Sequence, residues 1–453
     1  MTVHRPKKSV TAIATAALIL VLLLPGCDET SSTYLSSSSS SVSKSSESSS
    51  VLSEKESFEE EVGVVVGLEE PKNKRLGIGT IVNAKILYSV FTVEGELQSD
   101  FFIRNLETNE DTAIITLKDL YMYSGRFALF QNRYLYSVLP DAATYCFSDY
   151  NEVYEVESRI VCFDLEDDTG EVVKTYSSGD ILTYPVVLDE RRLAMNTSVC
   201  DGNSYQSAVS IYTPEDDSLV PAVTKQLYRS DEGTPWSDFR SSAPPEGMKG
   251  EAIHCFAVHE GELYLLVSER SGNEGQKPVY RLEIYSPEGE PAGVIPFDAF
   301  GYNSYLNTTI LPQAQLMQVS DRHIFFQTFS SQTALLERTG RESLSTEIAW
   351  RGVQGGMWEG ESLSNPQVLL RSADGNWLLD SQTGKVEKIG FLSPNASREY
   401  GRRDGNRALV HTSFEADGDS WTEELYYDDL EDAIRQARER EAKTKTTAKA
   451  TAK

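Results

Sequence analysis

The sequence predicts an all-β fold, a β-propeller of about seven four-stranded blades, and three observations lead there. From about residue 78 to 427, short runs of β-branched and aromatic residues alternate with polar ones and are separated by turn residues. Within that stretch one hairpin pattern recurs: a strand, a tight turn of acidic, Thr and Gly residues, and a second strand. A compact apolar strand precedes most of these hairpins, at intervals that fit blades with loops of unequal length.

The hairpins are quoted directly. Ile160-Val161-Cys162-Phe163-Asp164-Leu165 passes Asp167-Asp168-Thr169-Gly170 into Val172-Val173. Tyr280-Arg281-Leu282-Glu283-Ile284-Tyr285 passes Pro287-Glu288-Gly289 into Ala292-Gly293-Val294-Ile295. Ala334-Leu335-Leu336 passes Thr339-Gly340, and Trp377-Leu378-Leu379 passes Thr383-Gly384 into Val386 and Ile389. The apolar strands centre on Leu87, Leu135, Leu193, Tyr264, Phe325, Leu369 and Leu409, at intervals of 48, 58, 71, 61, 44 and 40 residues. Seven such strands predict seven blades, with six or eight as the neighbouring counts. A stack of β-sandwiches is the alternative arrangement.

The pattern resembles bacterial propellers of the TolB-like and WD40-like kinds. The Trp-Asp and Gly-His signatures and the kelch double glycine are missing, so the resemblance implies a scaffold and no particular ligand.

Residues 1–26 have the build of a lipoprotein signal peptide. Arg5, Lys7 and Lys8 precede an apolar stretch from Val10 to Leu24, too short for a comfortable membrane span. Leu24-Pro25-Gly26-Cys27 then resembles the lipobox of bacterial lipoproteins, with Pro25 in place of the more usual Ala or Ser. The resemblance implies that the Cys27 thiol takes a lipid (a diacylglycerol carrying acyl chains such as palmitate) and that cleavage falls before it. Each buried methylene then contributes about 0.8 kcal/mol to membrane anchoring. Residues 27–77 are Ser- and Glu-rich and predict a flexible tether. The expected location is the outer face of a cell membrane.

At the other end, 428–442 predicts a helix with Leu430, Ala433, Ile434 and Ala437 on one apolar face. Residues 443–453 (KTKTTAKATAK) predict a disordered basic tail.

The formal charge of −27 becomes −27 − 3 = −30 once Arg5, Lys7 and Lys8 are removed. That excludes nucleic acid as a partner, because phosphate recognition needs a basic footprint. Beyond Cys27 four cysteines remain: Cys146, Cys162, Cys200 and Cys255. They allow three disulfide pairings, and Cys146 with Cys162, either side of a loop, is the pair to test.

Two connections are candidate ligand loops. Residues 229–250 carry Trp236 and Phe239, and 350–362 place Trp350 and Trp358 beside glycines. No metal site is expected. His254 and His259 are five apart on a strand, facing opposite sides about 16 Å from each other, so one ion cannot bridge them. Glu415-Ala416-Asp417-Gly418-Asp419 lacks the full pattern of a calcium loop and reads as a hairpin turn. No nucleophile elbow, phosphate loop or dinucleotide fingerprint occurs, and no cofactor is called for. The expectation is a non-enzymatic propeller that binds an envelope protein or an extracellular ligand such as glycan. The alternatives are a polysaccharide hydrolase or lyase, and an accessory subunit of an envelope or transport complex.

Overall fold

The computed structural model describes residues 63–68, 74–92, 98–118, 127–140, 158–176, 180–181, 185–201, 204–228, 244–272, 277–297, 306–328, 332–352, 356–416 and 419–451. The leader, Cys27 and the Ser-rich stretch lie outside these residues, as do Cys146, Trp236 and Phe239.

Seven antiparallel sheets form the chain into a seven-bladed β-propeller. β1 (Val64–Val65) comes first in sequence and belongs to the last blade. Blade 1 holds β2 (Lys74–Val82), β3 (Lys85–Thr92), β4 (Gln98–Asn105) and β5 (Glu110–Lys118). Blade 2 holds β6 (Ala128–Phe130), β7 (Tyr134–Pro140), β8 (Ser158–Asp164) and β9 (Thr169–Tyr176). In blade 3 the first strand is split into β10 (Asp180–Ile181) and β11 (Val186–Val187), on either side of Pro185, which has no N–H to give a ladder. Both pieces pair with β12 (Leu193–Asp201), followed by β13 (Ser204–Thr213) and β14 (Ser218–Tyr228).

Blade 4 holds β15 (Lys249–His259), β16 (Glu262–Ser271), β17 (Val279–Tyr285) and β18 (Pro291–Pro296). Blade 5 holds β19 (Ala314–Val319), β20 (His323–Thr328), β21 (Thr333–Gly340) and β22 (Ser343–Gly352). Blade 6 holds β23 (Gly356–Met357), β24 (Gln367–Ser372), β25 (Gly375–Asp380) and β26 (Val386–Gly390). Blade 7 holds β27 (Ala396–Asp404), β28 (Arg407–Ala416) and β29 (Asp419–Tyr427), with β1 as its fourth strand.

Each of the seven apolar runs read from the sequence is the second strand of a blade: β3, β7, β12, β16, β20, β24 and β28. Their continuous apolar character has a physical cause. The second strand is flanked by strands within its sheet and covered by a neighbouring blade on both faces. β20 is accordingly buried along its whole length and β3 at six consecutive positions. The four quoted hairpins are third-to-fourth strand hairpins, and the fourth strands are the exposed outer edges.

The core is distributed around the ring, with a separate cluster at each blade junction. Phe101 and Ile103 meet Leu135 and Phe163 between blades 1 and 2. Ile160 and Cys162 meet Met195 and Tyr212 between blades 2 and 3. Val209 meets Phe256 and Leu265 at the next junction, and Tyr264 and Leu282 meet Met317 and Phe326 at the one after. Phe325 and Leu335 meet Val368, and Trp358 and Leu369 meet Val410 and Leu425. Leu409 packs on Ile81, Ile86 and Tyr88, which closes the ring from blade 7 to blade 1.

Both ends of the chain extend the folded part beyond the bounds read from sequence. The expected tether 27–77 contains β1 and the start of β2. Val64 finds its partner in Tyr426 and Val65 in Leu425, so the pairing that orders them is supplied by the far end of the chain. The C-terminal helix α1 (Leu430–Thr451) runs through the segment expected to be a disordered tail. Leu430, Ala433, Ile434 and Ala437 are buried against blades 6 and 7, as the periodicity required. Asp429 caps the helix by accepting from the Asp432 N–H at 3.0 Å, and Glu431 and Asp432 suit the positive end of its dipole. Lysines and alanines beyond Glu441 are good helix formers, and the lysines suit its negative end. Among the described residues no helix is long and apolar enough to cross a membrane.

Candidate binding face

The alternating strand directions put the connections of each blade at two ends of the ring. At one end lie the turns joining first to second strand and third to fourth, and most are tight. Asn83-Ala84 and Gln131-Asn132 turn with both residues at positive φ, the geometry that suits a two-residue hairpin. Third-to-fourth turns reuse one device. Asn105, Asp164 and Asp380 accept hydrogen bonds from backbone N–H groups two and three residues on, and Asn109, Asp168 and Gly384 take the left-handed position four residues on. This is the acidic, Thr and Gly turn that recurs in the sequence.

The other end collects the long connections, including Pro140 to Ser158, Tyr228 to Lys249 and Pro296 to Ala314. The candidate loop 229–250 is the link between blades 3 and 4, so it belongs to this face. Its Trp236 and Phe239 lie outside the described residues.

The other two aromatic candidates are placed in packing positions. Trp358 is buried between blades 6 and 7, and its Nε1 donates to Asn376 Oδ1 at 3.2 Å. A Cβ on Gly401 would lie 2.2 Å from its ring. Trp350 is half-buried on β22 against the cluster between blades 5 and 6, and a Cβ on Gly352 would lie 2.4 Å from its ring. The glycines near these tryptophans serve close fit to the indoles.

The cysteines have a similar outcome. Cys162 is a free thiol buried between Tyr136 and Tyr212, and burial pushes it up to about 11. A thiol so far from thiolate character is unreactive. Cys255 is buried in the core. Glu415 and Ala416 pair with Ser420 and Asp419 across the turn from β28 to β29, the hairpin expected for that acidic cluster.

The structure assembles one polar group that the sequence left scattered. On β27, Tyr400 has the Arg402 guanidinium 5.8 Å and the Arg371 guanidinium of β24 5.7 Å from its ring centroid. Arg402 Nε donates to Gly79 O of blade 1 at 3.0 Å and lies 2.9 Å from Glu359 of blade 6. Tyr400 pairs in register with His411 on β28, and His411 pairs with Glu424 on β29. The Tyr400 and His411 rings are 4.8 Å apart, and His411 Nδ1 is 2.6 Å from Glu424 Oε1.

The Glu424 carboxylate accepts, so Nδ1 is the donor, and this contact fixes the orientation of the imidazole. Burial pushes the Tyr400 hydroxyl up, against the pull of Arg402 and Arg371, so at neutral pH it is a phenol that can donate. The group thus offers an oriented imidazole and a phenol beside two guanidinium ions. It spans the joint between the last and first blades.

Two turns contain the signal that would have found this row. Counting back from Ala416-Asp419 places His411 opposite Glu424, and counting back from Asp404-Arg407 places Tyr400 opposite His411. Read singly, His411 is a lone histidine.

Other buried carboxylates are saturated by donors. Glu399 accepts from the N–H groups of Leu392 and Ser393 and from Asn376 Nδ2, each at 2.7 Å. Glu361 accepts from Arg403 at 3.0 Å and from Asn365 at 3.0 Å. A shallow polar cleft of about 180 Å³ lies nearby at the tight-turn end, between Gly360, Arg403, Asn406 and Glu431. It is smaller than the roughly 300–1,000 Å³ of small-molecule pockets.

No protein-family model matches the chain. No curated protein matches it either. Among solved structures it is similar to the CNH domain of AfRom2, at 9% identity and a TM-score of 0.42 over 81% of this chain and 98% of that one. It is similar to an alpha-L-arabinanase of Penicillium chrysogenum, at 13% identity and 0.36 over 69% and 93%. TolB from Acinetobacter baumannii aligns at 11% identity and 0.27 over 79% and 80%. Likenesses this distant carry no function to this chain, which its own seven sheets define as a seven-bladed β-propeller.

Proposed function

We propose that the chain is a lipid-anchored extracytoplasmic binding protein whose propeller engages a partner or ligand through its long-connection end. The observation that carries this reading is the segregation of long connections to one end of a closed ring. Support for the anchor comes from the sequence: a basic start, a short apolar stretch and Cys27 in a lipobox-like setting. The Ser-rich stretch after Cys27 gives the propeller reach, on the order of 35–40 Å for a flexible coil of that length.

A non-enzymatic role is favoured by the chemistry of the buried carboxylates. Glu361 and Glu399 are committed to Arg403, Asn365, Asn376 and backbone N–H groups, which is structural work. The anchor is tested by Cys27→Ser. Labelling with a palmitate analogue in cells should be lost and unprocessed precursor should accumulate. Normal labelling and maturation of Cys27→Ser would refute the lipid anchor.

A further inference from the structure

We propose that His259, Glu260 and Asp321 form a surface site for a divalent transition-metal ion of the Zn²⁺ type, bridging blades 4 and 5. One ligand atom from each of the three lies within 4.8 Å of the others, and His259 Nε2 is 3.0 Å from Asp321 Oδ1. His259 ends β15, Glu260 lies in the turn to β16, and Asp321 lies in the turn from β19 to β20 of the next blade. The two first strands, β15 and β19, pack directly on each other, which fixes the two turns side by side.

His254 is buried on β15, with Nε2 2.8 Å from Ser268 Oγ. The partner for His259 comes from 62 residues further on, a juxtaposition only the blade stacking creates.

Three features favour a metal over an ordinary ion pair. First, the donor set is one imidazole nitrogen and two carboxylate oxygens. An imidazole ligand selects Zn²⁺ over Ca²⁺ or Mg²⁺, which prefer all-oxygen shells, and three protein ligands leave room for water.

Second, the frame is held in place. Glu260 and Gly261 both sit at positive φ in a two-residue turn, and the His259 ring lies 6.2 Å from Tyr264.

Third, the charge is arranged differently from that at neighbouring turns. Glu262 pairs with Arg341, Asp217 with Lys174 and Glu288 with Arg192. Arg322, beside Asp321, turns its guanidinium away to Gln382 O at 2.8 Å, and Arg338 is engaged with Ser320 O and Tyr264. Asp321 is met by the imidazole of His259, so two carboxylates share one spot and, among the described residues, no lysine or arginine pairs with either. An ion there would take the place of the His259–Asp321 hydrogen bond.

The test is a calorimetric titration of Zn²⁺ into the full, tag-free chain, repeated with Asp321→Asn and with His259→Gln. Both substitutions lie in or beside surface turns, and circular dichroism verifies that each variant remains folded. The expected result is a Zn²⁺ site weakened at least tenfold in each variant, with Ca²⁺ at least tenfold weaker than Zn²⁺ in the unaltered protein. Absence of Zn²⁺ binding, unchanged affinity in the variants, or Ca²⁺ binding as tight as Zn²⁺ would overturn the assignment.

Discussion

Val64 pairs with Tyr426, and through that pair the first described strand of the chain becomes the outer strand of the last blade. The closure is short. Among the described residues, β1 contributes the Val64 and Val65 pairings and the bond from the Val66 N–H to Glu424 O at 2.9 Å. Val66→Pro removes that donor, and a lost ladder bond with an orphaned acceptor costs about 1–3 kcal/mol. Chemical denaturation should show a loss of that size, and unchanged stability would mean that the ring closes without β1.

Gly401 makes room for Trp358, and Gly401→Ala should therefore destabilise by about 1–3 kcal/mol through overpacking. The combination of Gly401→Ala with Trp358→Leu should cost less than the sum of the two single changes, because the smaller side chain removes the clash. Additive losses in a double-mutant denaturation cycle would place the strain elsewhere.

A charged network joins blades 3 and 4. Lys225 of β14 lies 3.0 Å from Glu251 and 2.8 Å from Glu283, and Arg281 bridges the same two carboxylates. Burial pushes the Glu251 and Glu283 carboxyls up, but their bonds to Arg281, Lys225 and Tyr285 and the nearby positive charges together hold both below 4.5. A depressed folded-state pKa contributes stability that is present above the unfolded value and lost as pH falls through the folded one. Stability measured against pH should accordingly fall below about pH 4.5. Lys225→Met should shrink that acid-side loss. A pH profile identical to that of the unaltered protein would show that the network does not contribute.

Much of the ring was legible in the sequence because the second strands are buried on both faces and read as compact apolar runs. The third-to-fourth hairpins were legible because their turns need Asx and left-handed residues at fixed offsets. Apart from the segment carrying His254 and His259, the first strands were missed for a physical reason. Ladders to the second strands shift register between Ile78 and Thr80, Ile253 and Cys255, Ala314 and Leu316, and Ala396 and Arg398. A bulge interrupts the two-residue alternation on which strand recognition depends.

Sites fared differently, because they are built across strands and blades. Trp350 packs against Gly352 of its own strand, but Trp358 packs against Gly401 of β27, a glycine its local sequence does not contain. The row Tyr400, His411 and Glu424 exists only through register, and His259 meets Asp321 only through blade stacking.

That row makes its own prediction. His411 is held by Glu424 through Nδ1, so Glu424→Ala should release the imidazole from its place 4.8 Å from the Tyr400 ring while leaving the fold intact. Proton NMR of the His411 ring reads the change in ring-current shift directly, and unmoved ring signals would mean that the contact is not formed in solution.

The central claim is that the long-connection end is the binding face. Site-specific photo-crosslinkers test it in cells, placed at the exposed Glu246 and Lys277 on that end and at the exposed Glu107 and Glu215 on the tight-turn end. A recurrent envelope component should be captured from Glu246 or Lys277 and not from Glu107 or Glu215. Capture confined to the tight-turn positions would contradict it.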